Sequence, residues 1–352
     1  EEIKDDWPLS RIDKNWGWRI FYKWFTIFKK IWRVMEVYKD LKKIKKISNC
    51  FLTMGTFDGC HIGHQQLFKS ISDQAIQSND AQALITYYPH PRNILKKADG
   101  LKSLMSLEEK LKIFETYGFD YVLIISFNNS FANVTASDFL NNIVLNYFNP
   151  QKIIIGYDHH FGKNREGTSS FLKNFSKNFN FNLEVLDPVK YEDKTVSSSL
   201  IRKLITNGEV SLASDYLNRF YGFDAIVVSG SGRGSSLGFP TANFIPVEKN
   251  QLIPMSGVYF ISGTINSNNY YGMCNLGYRP TFNGEQFVME AHFFEFPRND
   301  IYNKKIKIEF LERLRNERKF SNTKELTEHI KKDKKTCIDL MQKYKRIHDD
   351  IN

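Results

Sequence analysis

The sequence predicts two unlike domains: an α/β domain built on a parallel sheet, then a small antiparallel β-barrel that ends on a helix. Three patterns predict this. From Cys50 to about Leu186 short apolar runs alternate with amphipathic stretches, the pattern of a parallel sheet with helices on both faces. Beyond about Phe220 strand-like runs succeed one another with Gly, Asn and Pro between them. The chain then closes on one apolar stripe at helical spacing.

Taken in order, strands are predicted over 50–54, 83–88, 121–126, 153–156 and 183–186. Between them Leu107, Leu111 and Phe114 recur at helical spacing, as do Phe139, Ile143 and Leu145. Helical stretches near 198–206 and 210–218 close this half. In the second half FDAIVVSG, GVYFISGTI, YYGMCNLG, QFVMEAHFFEF and KIKIEFL read as strands. Asn322 can cap the last helix with Glu325 three residues on, and Leu326, Ile330, Cys337, Leu340, Met341 and Tyr344 form its stripe. The expected domains are 35–220 and 221–352, preceded by an extension over 1–34.

That extension is unlike the rest of the chain. All five tryptophans, Trp7, Trp16, Trp18, Trp24 and Trp32, lie in it. Its basic, aromatic segment WGWRIFYKWFTIFKKIWR suits an interfacial membrane helix, which would give the chain one membrane contact. The favoured reading is an extension without catalytic role, ahead of a working protein that starts at Met35. Residues 1–46 hold 13 Lys/Arg against 7 Asp/Glu, and so supply +6 of the +10 net charge. The remainder leaves no footprint along a groove, so no nucleic-acid partner is expected. Cys50, Cys60, Cys274 and Cys337 make no CxxC pair and no metal-ligand spacing, and read as reduced thiols of a cytoplasmic protein. No apolar run reaches transmembrane length, and no signal peptide is expected.

The stretch MGTFDGCHIGHQQL comes directly after the first strand and enters a helical pattern. Gly55, Gly59 and Gly63 let the chain turn sharply and let a ligand approach the main chain. A strand, a bare turn and a helix entrance together aim unpaired N–H groups at an anion. The spacing fits neither GxxxxGK[ST] nor GxGxxG. Its distinctive part is HxGH, with His61 and His64 able to donate hydrogen bonds to a triphosphate and so stabilise departing pyrophosphate. Two plainer readings stand beside this: a zinc pair, for which HEXXH and a third ligand are wanting, or ordinary capping residues.

The full stretch TFDGCHIGH resembles the nucleotidyltransferase signature. In the form TxGxFDGxHxGH it resembles that of the bacterial bifunctional riboflavin kinase/FMN adenylyltransferases, the FAD synthetase family. YYPHP (Tyr87–Pro91) is similar to that family's FEPHP, with Tyr88 in place of the acid. GYDHHFGKNREG (Gly156–Gly167) is similar to its GxDFxFGxxRxG, with His159 replacing an aromatic. VSSSLIR (Val196–Arg202) is similar to its SSTxIR, with Ser199 for Thr. The resemblance implies a Rossmann-like nucleotidyltransferase domain. It puts Gly55, Phe57, Asp58, His61, Gly63, His64, Ser197, Ser198 and Arg202 on the ATP side, and Asp158, Phe161 and Arg165 on or near FMN. A serine capping the helix and Arg202 on its face would make a second phosphate clamp, facing HxGH across the sheet edge. FMN's phosphate is already an anion at neutral pH, so this step needs alignment and charge neutralisation and no base.

The second half offers GSGRGSSLGFPTANF (Gly230–Phe244), whose glycines let a loop wrap phosphate; Thr241 and Asn243 supply hard oxygens suited to Mg²⁺. GFPTAN resembles the riboflavin kinase motif. That resemblance puts Gly232, Arg233, Gly234, Gly238, Pro240 and Asn275 at ATP, with Thr241 and Asn243 on the metal. A ribityl hydroxyl is neutral and needs a base. In FVMEAHFFEF, Val288, Glu290, His292 and Phe294 share one face, which places Glu290 in partly apolar company that makes a carboxylate a better base. MCNLGYRPTF (Met273–Phe282) resembles the family's ANIGxRPTF wall, and RLRNERKF (Arg313–Phe320) its LRxExKF, with Arg315 and Glu317 as a pair ordering a lid near the flavin.

The expected activity is therefore double: riboflavin and ATP to FMN, then FMN and ATP to FAD and pyrophosphate, both with Mg²⁺. Two rivals remain. One is an adenylyltransferase for another phosphorylated acceptor, such as phosphopantetheine or nicotinate mononucleotide, against which GFPTAN and MEAH argue. The other is a flavin-binding regulatory or membrane-docked protein, supported by the Trp-rich segment alone.

Overall fold

The computed structural model describes residues 34–95, 100–230, 238–281, 284–297 and 301–349. The Trp-rich segment lies outside them, as do Gly232, Arg233 and Gly234 of the second glycine loop. By packing, the described residues divide into two compact units, one drawn from residues up to 101 and from 107–196, the other from 102–106 and from 197 onward.

The first unit carries a six-stranded parallel sheet in the order β1-β4-β3-β2-β5-β6. Its strands are β1 (Glu36–Tyr38), β2 (Cys50–Met54), β3 (Ala81–Tyr88), β4 (Tyr121–Ser126), β5 (Lys152–Gly156) and β6 (Asn182–Leu186). Five match the apolar runs of the sequence. β1 does not, because three residues (EVY) are too few to show a period, and it is held by its register against β4, Glu36 to Tyr121. The small hairpin of β7 (Lys190–Tyr191) and β8 (Lys194–Thr195) is likewise too short to show one.

The helices are α1 (Ile62–Ser78), α2 (Pro91–Ile94), α3 (Leu107–Thr116), α4 (Ala136–Phe139) and α5 (Ser169–Ser176). Past α4 the turns widen into a π-helix over Leu140–Phe148. This shifts the apolar face. Ile143, Val144 and Phe148 are buried with Phe139, whereas Leu145, expected in the stripe, is only partly covered. A wider turn returns to the same side every four to five residues, not every three to four.

The second unit is a closed barrel in the order β10-β13-β12-β11-β14-β9. Its strands are β9 (Tyr221–Val228), β10 (Ala242–Pro246), β11 (Gly257–Ile265), β12 (Asn268–Thr281), β13 (Gly284–Phe293) and β14 (Lys305–Arg315). In β9, Tyr221, Phe223, Ala225 and Val227 alternate inward. β10 was not expected, since Ala-Asn-Phe-Ile-Pro carries two poor strand formers; its pairing with β9 and β13 decides it. α6 (Ser198–Thr206) and α7 (Val210–Leu217) fall where helices were expected but pack with the barrel, Ser211 Oγ donating to the Leu311 carbonyl at 2.9 Å. The packing boundary thus falls before Ser197, ahead of the sequence boundary at 220. α8 (Thr323–Asp349) starts on the expected cap, Glu325 N–H donating to Asn322 Oδ1 at 2.9 Å, and buries Cys337, Met341 and Tyr344.

Candidate active sites

In the first unit β2 delivers the chain to the turn 55–60 and α1 carries it away. The turn is strained: Phe57 and Cys60 hold φ of +48° and +40°, the left-handed region that side chains disfavour. Bare backbone at Gly55 is required because a Cβ there would lie 2.8 Å from the Phe57 ring. That ring is buried, edge-on to His64, Phe68 and Phe114.

His61 caps α1, its Nδ1 accepting the His64 N–H at 3.4 Å, and the two imidazoles stack with centroids 3.7 Å apart. With Nδ1 accepting, the proton of the neutral His61 ring sits on Nε2. Burial, then the neighbouring His61 and Lys110, holds His64 well below the ordinary histidine range, which favours the neutral imidazole. Burial, the leading cause, holds Lys110 below the ordinary lysine range, and the charge of the buried Asp58 acts against that shift. Lys110 lies on the covered face of α3 and belongs to none of the motifs singled out in the sequence. The signal was available: Leu107, Lys110, Leu111 and Phe114 share one helical stripe, which puts a cation among core positions.

The residues expected on the flavin side differ in character. Phe161 is a core residue, only 6% exposed and packed on Phe139 and Phe171, and Gly167 must be glycine because a Cβ would strike the Phe161 ring at 2.6 Å. Asp158 is exposed. Arg165, with φ of +62°, places Nη2 3.1 Å from His160 Nδ1. His159 stacks on Phe161, and its Nε2 is buried without a hydrogen-bond partner among the described residues. In the second unit Ser197 caps α6, accepting from Leu200 N–H at 3.2 Å, Ser198 is the first residue of that helix, and Arg202 Nε donates to the Lys102 carbonyl at 2.9 Å.

The barrel register builds a polar row. Asn243 on β10 stands opposite Glu290 on β13, which in turn stands opposite Asn275 on β12. Directly opposed residues share a face, so the three side chains line up on the side away from the buried Phe244, Ala291 and Cys274. Backbone closes over one end, since a Cβ on Gly230 would overlap Asn243 Nδ2. Of the residues named with Glu290 on one face, His292 and Phe294 are buried. Glu290 Oε1 accepts a charge-assisted hydrogen bond from Nη2 of Arg279, which stands four residues past Asn275 on the same face of β12.

His292, two residues on, donates from Nδ1 to the Pro240 carbonyl at 2.8 Å and so fastens the Phe239–Asn243 segment to β13. Phe239 packs edge-on against it, and Lys334 of α8 lies over both Phe239 and Phe294. Burial, the leading cause, holds the His292 ring below its ordinary range. Gly238 takes a φ of +78° just before this segment.

Arg315 and Glu317 do not form the expected pair. Arg315 forks onto Asp333 of α8, with Nη2–Oδ2 at 2.7 Å and Nε–Oδ1 at 3.0 Å, while Glu317 Oε1 accepts from the Tyr278 N–H at 3.1 Å. The Glu317 carboxylate reaches that backbone only because Gly277 has no Cβ, which would overlap Oε1.

Two family descriptions match the chain: FAD synthetase over residues 43–200 and riboflavin kinase over 217–341. A Bacillus subtilis bifunctional riboflavin kinase/FMN adenylyltransferase is 34% identical over 291 residues, 82% of this chain and 91% of that one. The chain belongs to this bifunctional family. Its namesake in Buchnera aphidicola from Schizaphis graminum is also 34% identical, over 88% of this chain and 99% of the relative. A solved Streptococcus pneumoniae chain described as a macrolide-efflux protein has the same fold, with a TM-score of 0.78 at 28% identity over 86% of this chain. Among the described residues no helix is long and apolar enough to cross a membrane. The family's two activities map in order onto the two units. Among the described residues no group of three or more His, Cys, Asp or Glu side chains is placed to hold a metal ion.

Proposed function

We propose that the chain converts riboflavin and ATP to FMN and ADP at the polar row of the barrel, and FMN and ATP to FAD and pyrophosphate at the HxGH turn. The row Asn243–Glu290–Asn275 carries this reading, because it sets an oxygen ligand, a carboxylate base and an amide side by side on one face. Thr241 and Asn243 supply hard oxygens that fit Mg²⁺, and the bare Gly230 backbone packs directly on the Asn243 amide. The metal would neutralise charge on the ATP phosphates as the γ-phosphoryl group moves.

Glu290 takes the proton of the ribityl 5′-hydroxyl, and Arg279 orients its carboxylate. In the other unit the FMN phosphate attacks the α-phosphorus of ATP unaided. His61 and His64, as neutral donors, stabilise the leaving pyrophosphate, and Asp58, Gly55, Phe57 and Gly63 shape the turn. Arg202, Ser197 and Ser198 are assigned to the same step on their motif, and Asp158, Phe161 and Arg165 to the FMN side. Gly238, Pro240 and Asn275 belong with the kinase nucleotide, and Arg315 and Glu317 with its flavin side. Four buried free thiols suit a cytoplasmic enzyme.

The test is to incubate the protein with riboflavin, ATP and Mg²⁺ and separate the flavins by chromatography. FMN should form first and FAD after it. ATP turnover that leaves riboflavin and FMN unchanged would refute the reading.

A further inference from the structure

Lys110 is 6% exposed, on the covered face of α3 one turn before the fully buried Phe114. An ammonium is costly to bury unless it is given something to do. Its Nζ donates to the carbonyl oxygen of Thr56 at 2.7 Å, and Thr86 Oγ1 donates to the same oxygen from β3 at 3.4 Å. That carbonyl belongs to the peptide plane joining Thr56 to Phe57, whose rotation would relieve the left-handed φ of Phe57. Two donors therefore hold the plane against its own strain.

A trans peptide points its N–H opposite to its C=O. Drawing the Thr56 carbonyl toward α3 aims the Phe57 N–H the other way, and among the described residues this N–H has no hydrogen-bond partner. A buried residue with an unmatched backbone donor is a place prepared for an acceptor. The same ammonium lies close enough to Asp58 and His64 for its charge to act on both.

We propose that Lys110 is a positioning residue of adenylyl transfer: a buried cation that locks the Thr56–Phe57 peptide so that the turn presents its backbone donor to the ATP phosphates. This rests on the adenylyltransferase reading above. Its selectivity is for the nucleotide, because the locked plane belongs to the turn and not to the segment holding Asp158 and Arg165.

The experiment measures FAD formation from FMN and ATP in the full chain and in Lys110→Met, with thermal melting followed on both. The variant should melt near the parent and lose about tenfold in kcat/KM for ATP, the worth of a hydrogen bond from a charged donor, while KM for FMN stays within about twofold. ATP kinetics within twofold of the parent would overturn the proposal. So would a rise in both KM values with a lowered melting point, which is a general loss of structure. Should Lys110→Met fail to fold, Thr86→Val decides: an ATP-selective loss supports the proposal, and an unchanged or unselective variant overturns it. A parent chain that binds FMN and ATP yet makes no FAD refutes the underlying reading before any variant is compared.

Discussion

His61 accepts the backbone N–H of His64 through Nδ1 while the two rings stack, so the first histidine of HxGH caps the helix on which the second one stands. The glycine between them is part of that contact. A Cβ on Gly63 would sit 3.2 Å from His61 Nδ1 and 3.3 Å from Cε1, close enough that the capping ring has to shift. Gly63→Ala should therefore remove the cap, at about 1 kcal/mol of stability, and displace the Nε2 donor. FAD formation from added FMN is expected to fall by about tenfold or more, for a single lost transition-state donor. FMN formation from riboflavin should be unchanged. Parallel flavin chromatography of both half-reactions checks this, and equal loss of both would show that the two activities share one site.

The row on the barrel makes the opposite prediction. Glu290→Gln keeps the shape and some of the hydrogen bond to Arg279 but cannot accept a proton. FMN formation should drop by roughly 10²- to 10⁴-fold, with FAD formation from added FMN retained. Arg279→Met should lower the kinase kcat while leaving KM for ATP nearly unchanged, since Arg279 meets the base rather than the Asn243 end of the row. An ATP KM that rose with an unaltered kcat would place Arg279 on the nucleotide instead.

Arg315 and Asp333 tie the end of β14 to α8 through a forked contact in which the carboxylate is only 12% exposed. Asp333→Ala leaves a half-buried guanidinium without its partner, and should cost about 2 kcal/mol of barrel stability. Urea unfolding at constant pH measures this. Because the 315–317 segment also reaches Tyr278 through Glu317, the kinase KM for riboflavin should rise as well. If stability fell and riboflavin KM did not move, the segment would be a strut and not part of the flavin side.

Much of this was legible in the sequence, for physical reasons that differ from residue to residue. Asn243 and Glu290 could be found because each sits in a recognisable local motif. That they stand opposite one another is a matter of strand register, which no local pattern carries. The same limit explains the partners of Arg315 and Glu317: two residues apart at a strand end, they looked like a pair, whereas α8 and β12 each offered one of them a better contact. The π-turn past Phe139 kept its apolar residues but changed which of them face the sheet. Lys110 stood in no motif although its stripe was visible. A cation at a core position is readable from periodicity, but its acceptor, a carbonyl some fifty residues earlier in the chain, is not.

His159 gives the last prediction. It is stacked on Phe161 with its Nε2 buried and unpartnered among the described residues. Burial, reinforced by the charges of His160 and Arg165, pushes it down to about 4 from the ordinary value near 6.5. The unfolded chain therefore takes up a proton here before the folded one does, and stability falls as pH drops from about 6.5 toward 4. At the acid end the loss from this group alone is on the order of 3 kcal/mol. A phenyl ring would keep the stack and has no proton to gain. His159→Phe should match the parent at pH 7.5, where both imidazole states are neutral, and should exceed it increasingly below pH 6. Urea denaturation of parent and variant at half-unit steps from pH 7.5 to 4.5 gives the difference curve directly, with every other titrating group cancelling. A flat difference across that range would mean that His159 is solvated in the folded protein and protonates as freely there as in the unfolded chain.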